Sequence, residues 1–150
     1  MSHEQSPLTL LSHRFISFNC EASRETKAEG PLALNTEQTC SQHTEEKSRW
    51  MVELEVRFDP ADKENPSPYA GKIVIQGHFN IYEGFNESHH EALVRVTGSS
   101  MLYGACREML ANFTARSTHG ILSLPSISFR DKKEKVSIDK KEEETDDTRA

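Results

Sequence analysis

The period of the apolar residues changes once along this chain, and that change limits what it can fold into. Up to Tyr82 apolar side chains alternate with polar ones, and from Ser88 to about residue 117 they recur at helical spacing. A run of strands followed by one long helix leaves the sheet a single partner for its apolar face. The expected class is α+β: a four-stranded antiparallel sheet with one long helix, plus a short helical turn, packed on one face.

Four segments carry the period of two that marks a strand with one buried face. In the first, Leu8, Leu10, Ile16, Phe18, Cys20 and Ala22 fall on one side, with Leu11 and Phe15 as exceptions. The second, from Leu32 to Ser41, sets Leu32, Leu34 and Cys40 against Asn35, Glu37 and Thr39. In the third, Trp50, Val52, Leu54, Val56 and Phe58 oppose Glu53, Glu55, Arg57 and Asp59. The fourth spans about Tyr69 to Tyr82, with Ile73, Ile75, Phe79 and Ile81 opposite Lys72, Gln76, His78 and Asn80. Short connections and one-faced alternation predict an antiparallel meander.

Ser88 and Glu91 have the spacing of a capping box, which would open a short helical turn through Leu93 and Val94. Gly98 is expected to break that turn, and Ser99 or Ser100 to cap the main helix. Leu102, Cys106, Met109 and Phe113 then form one apolar stripe, with Met101, Ala105 and Ala115 beside it. Gly120 suits the helix end, and Pro125 keeps residues 121–129 extended.

The ends differ from this middle. Residues 1–7 are expected to form a flexible N-terminus, 8–129 one domain of about 120 residues, and 130–150 a disordered tail of mixed charge. The net charge of −6 comes with no basic stripe, which argues against a nucleic-acid backbone as partner. Leu8-Thr-Leu-Leu11 is too short for a signal peptide or a membrane span. Three cysteines without Cys-x-x-Cys spacing fit reduced thiols in a cytoplasmic protein better than a disulfide framework or a zinc knuckle.

Several pieces, in this order, resemble the SecB family of protein-export chaperones over residues 8–129. They are Ile16-Ser-Phe18, Pro31-Leu-Ala-Leu34, the strand from Val52 to Val56, His78-Phe-Asn-Ile81, Arg107-Glu108, and Leu124-Pro125 leading to Phe129. The resemblance implies a non-enzymatic cytoplasmic chaperone that holds unfolded or partly folded polypeptides in an apolar groove. It also implies a homodimer or homotetramer stacked through the long helices. In protein export the family passes its clients to the SecA motor. SecB-like chaperones also accompany some toxin–antitoxin systems, so a module dedicated to one client, such as an antitoxin, is the alternative. The chain departs from the family at the aromatic positions of the deep peptide pocket, where Tyr103 is retained in kind and Ala105 replaces an aromatic, and in two further respects. A charged tail stands where a second helix lids the groove, and Phe15, Asn19 and Lys72 stand at positions that are acidic in the family for SecA.

Candidate sites follow from chemistry and from this resemblance together. Trp50, Phe58, Phe79 and Tyr103 are the candidates for binding client polypeptide, because a chaperone must leave some apolar surface open. Leu102, Tyr103, Cys106, Leu110 and Phe113 are the candidates for an oligomer interface, since the helix carries apolar residues on more than one side. No metal, cofactor or catalytic residue is expected. His89 and His90 on a helix point about 100° apart, which leaves them ordinary residues of a solvated helix start. Cys106 lies on the apolar stripe, where packing explains it better than nucleophilic catalysis.

Overall fold

The computed structural model describes residues 3–130. Four strands, β1 (Leu8–Ala22), β2 (Leu32–Gln42), β3 (Arg49–Pro60) and β4 (Tyr69–Ile81), form one antiparallel sheet. A helical run then crosses one face. It comprises a 3-10 turn (Glu87–His89), α1 (His90–Leu93), a π turn (Val94–Gly98) and α2 (Ser99–Thr114). The expected class of one sheet with one long helix is what the chain adopts, and the expected tail lies, beyond Arg130, outside the described residues.

The strands are not a simple meander. Their order is β1-β4-β3-β2, so β1 pairs with β4 and leaves β2 at the opposite edge. The β1–β2 connection crosses the sheet end, held where Ser23 N donates to Pro68 O and Gly30 N donates to Pro66 O, each at 2.9 Å. Alternation defines faces but carries no information about neighbours, so pairing order needed these long-range bonds.

β1 also corrects its own expected pattern. Leu10 faces Phe79 and Ser12 faces His78, which makes Leu11 an extra residue; Ile16 is likewise extra between the Phe15–Ile75 and Ser17–Val74 pairs. Two bulges therefore shift the strand twice. Phe15, read above as an exception, turns to the core face, while Leu11 and Ile16 stay 47% and 50% exposed.

The helical run is likewise more continuous than expected. Gly98 does not break it: the π turn carries α1 directly into α2, without a side-chain cap at Ser99 or Ser100. Ser100 Oγ instead donates to Val96 O at 2.8 Å, and the run opens on Asn86, whose side chain accepts from Ser88 N, rather than on Ser88. Gly98 answers a packing demand, since a Cβ there would come within 3.3 Å of the Phe79 ring. Gly77, below it, leaves room for Leu102, which would lie 2.7 Å from a Cβ at that position. These two glycines let the helix lie directly on β4.

The core joins Val52, Leu54, Val56 and Phe58 of β3 and Ile73, Ile75, Phe79 and Ile81 of β4 to Leu102, Cys106 and Leu110 of α2. Leu124 and Phe129, from the extended segment after the helix, complete it.

Candidate functional site

A hollow of about 520 Å³ lies at the sheet end that carries the β2–β3 turn. Its lining comes from all four strands because the register aligns Ser12, His78, Met51 and Ser41 in one row across the sheet. Phe79 and Trp50 of the neighbouring row also line it, as does the bulged Leu11. The volume falls within the range of ordinary small-ligand or side-chain pockets. On the sheet surface nearby, Arg14 donates to Gln76 Oε1 and Gln76 Nε2 donates to Glu53 Oε1, at 3.1 and 2.9 Å. The Trp50 indole N–H is enclosed and lacks a partner among the described residues.

The four candidate client-binding residues do not converge. Trp50 and Phe79 border the hollow, Trp50 half-buried and Phe79 fully buried. Phe58 is fully buried at the other end of β3. Tyr103 is enclosed on the helix, where its hydroxyl donates to Pro125 O at 2.5 Å and its ring meets Phe129 edge-on at 5.8 Å. Leu11, Met51 and His78 escaped the sequence reading. Leu11 did leave a signal there, as an apolar residue that broke the alternation.

The candidate interface residues divide as well. Leu102, Tyr103, Cys106 and Leu110 turn inward with Ser99 and Thr114, so the buried stripe is rotated from the expected one. Phe113 stays 47% exposed, edge-on to Phe18 at 5.3 Å, and Met101 and Met109 are exposed further round the helix. Four residues apart in each case, Met101, Ala105, Met109 and Phe113 form a row that winds slowly round the helix.

The thiols and histidines have local explanations. Burial pushes the Cys106 thiol up to about 12, which keeps it protonated and unreactive at neutral pH. Burial also raises Cys40 and Cys20, with Arg95 opposing the rise at Cys40. His89 is exposed as expected, whereas His90 is buried: its ring stacks on Phe85 and its Nε2 lies 3.1 Å from Phe85 O. Among the described residues, no three His, Cys, Asp or Glu side chains gather as metal ligands, and no helix is long and apolar enough to cross a membrane.

These features define a SecB-like α+β fold with an open apolar hollow. Solved structures that share the fold include the following two. One is the SecB-like chaperone Rv1957 of Mycobacterium tuberculosis, solved with a ChAD peptide from the HigA1 antitoxin; it is 16% identical, covers 81% of this chain and 91% of its own, and has a TM-score of 0.63. The other is a protein of unknown function from Streptococcus agalactiae, 12% identical, covering 79% of this chain and 97% of its own at a TM-score of 0.50. Comparison with protein-family models and with curated proteins finds no match.

Proposed function

We propose that this chain is a SecB-like, non-enzymatic chaperone that binds unfolded or partly folded polypeptides in the cytoplasm. The observation that carries this reading is the hollow, where Leu11, Met51 and Trp50 offer apolar surface at the end of a sheet whose edge strands β1 and β2 each pair on one side among the described residues. An extended client could place an apolar side chain there while its main chain pairs along an edge strand, an arrangement that demands little sequence specificity. Export clients handed to SecA are one setting for this activity. The outward face of α2 is the proposed route to a homodimer or homotetramer.

The dedicated-client reading has support of its own, because the mycobacterial relative was solved with a peptide from an antitoxin. Aggregation assays with several unrelated denatured proteins separate the two. The general reading expects suppression that survives high salt, since apolar burial is not screened. Leu11→Asp and Trp50→Ala should weaken client binding by about tenfold, roughly 1.4 kcal/mol for a central apolar contact. Thermal melts of both variants control for stability. If no denatured protein binds while one partner does at micromolar affinity, the dedicated reading replaces the general one.

A further inference from the structure

Residues 121–130 cover part of the core without joining any sheet or helix. Among the described residues, no backbone-to-backbone hydrogen bond ties them to the body. Side chains hold them instead: Leu122 N donates to Thr114 Oγ1 at 2.8 Å, and the Tyr103 hydroxyl donates to Pro125 O. Leu124 and Phe129 are buried and Leu122 and Ile127 half-buried, while Ser123, Pro125, Ser126 and Ser128 face solvent. This is how an extended peptide lies in a cleft, with one face seated and its backbone caught by side chains of the host.

The segment also has a fixed root and a pivot. His119 Nε2 lies 2.7 Å from Ser23 O, and the Tyr69 hydroxyl accepts from His119 N and donates to Gly120 O. Directly after this clasp, Gly120 takes φ +79°, a conformation that side chains rarely adopt. The chain is therefore anchored up to Gly120 and held mainly by apolar seating beyond it.

We infer that residues 121–130 are a self-ligand: a strap that occupies a second polypeptide-binding cleft, along α2 and apart from the hollow at Leu11 and Trp50, and is displaced by client. This rests on the chaperone reading and adds its regulation. With the strap gone, Tyr103 Oη offers a donor and Thr114 Oγ1 an acceptor to the main chain of another extended segment. The strap's own pattern defines the ligand class: apolar residues at positions i, i+2, i+5 and i+7, uncharged between them, with an N–H at i and a carbonyl at i+3. Apparent client affinity is then reduced by the fraction of chains whose strap is closed.

The test uses full-length protein, reduced carboxymethylated lactalbumin as denatured client, and a labelled peptide of the strap sequence. Saturating client should speed hydrogen exchange of the Leu122 amide, which Thr114 Oγ1 holds, by about tenfold or more while β3 and β4 stay protected. Phe129→Ala should bind the client about tenfold tighter than the parent and capture the strap peptide, which client then displaces. Client binding with unchanged strap exchange and equal affinity in both chains overturns the strap and leaves the chaperone reading standing. Strap-peptide capture by Phe129→Ala without any client binding keeps the self-occupied cleft and removes the chaperone reading. A folded Phe129→Ala that captures neither overturns the cleft. Should Phe129→Ala fail to fold, Tyr103→Phe decides: it retains the ring and loses only the bond to Pro125, so the Leu122 amide should exchange faster while the sheet amides do not. Unchanged exchange there overturns the inference.

Discussion

Cys106 shows how one buried side chain links burial to pH dependence. Its thiol is held at about 12 by desolvation, against 9.0 when free. Between those values the unfolded chain releases a proton that the folded chain keeps, so folding stability falls as pH rises through that window. Below it the thiol is protonated in both states and adds no slope. Cys106→Ala should remove up to about 1.4 kcal/mol of stability loss per pH unit, read as the difference between parent and variant in urea titrations above about pH 9. The packing role of Cys106 was legible because it recurs with Leu102 at helical spacing. Burial of Tyr103 was not, since Pro125 and Phe129, which enclose it, lie some twenty residues further on in an extended segment with no period of its own. His90 was hidden similarly: a histidine beside a histidine reads as solvated, and only the fold places it on Phe85.

Element types were more legible than their joins. Val52 to Phe58 and Ile73 to Ile81 alternate cleanly because both strands lie in the middle of the sheet, each with one face under the helix. β1, at an edge, tolerates two bulges, and each inserted residue inverts the alternation downstream. The π turn escaped notice because a glycine inside a helical pattern reads as a stop, whereas Gly98 is there for the Phe79 ring. The glycines make this contrast testable. Gly77→Val would drive a side chain into Leu102 and Phe79, and should cost roughly 1–3 kcal/mol by overpacking. Gly104 has open space around it in α2, so Gly104→Ala should stabilise the helix by roughly 0.5–1 kcal/mol. Chemical denaturation of both variants reads the two signs, and a destabilised Gly104→Ala would mean that this helix face is already closely covered.

That last outcome leads to the whole molecule, whose outward helix face is the largest question of assembly. Met101, Met109 and Phe113 are 37%, 38% and 47% exposed in one chain, in a row that winds round α2 from its outer side to Phe18 of β1. Water-exposed apolar side chains aligned in such a row gain by pairing with a second copy. Tyr103 and Leu110 belong to the opposite, inward side, so an arginine at either would probe folding and not association: Leu110 is fully buried, and a charge there would lie unpaired in the core. Met109→Arg is the discriminating substitution. It should leave the melting temperature of the subunit nearly unchanged while lowering the mass in multi-angle light scattering to that of a smaller species. Met101→Arg should act in the same direction, because it lies two turns along the same row. A parent chain that is monomeric at tens of micromolar would leave this stripe open to solvent, and the apolar surface would then belong to client binding instead of self-association.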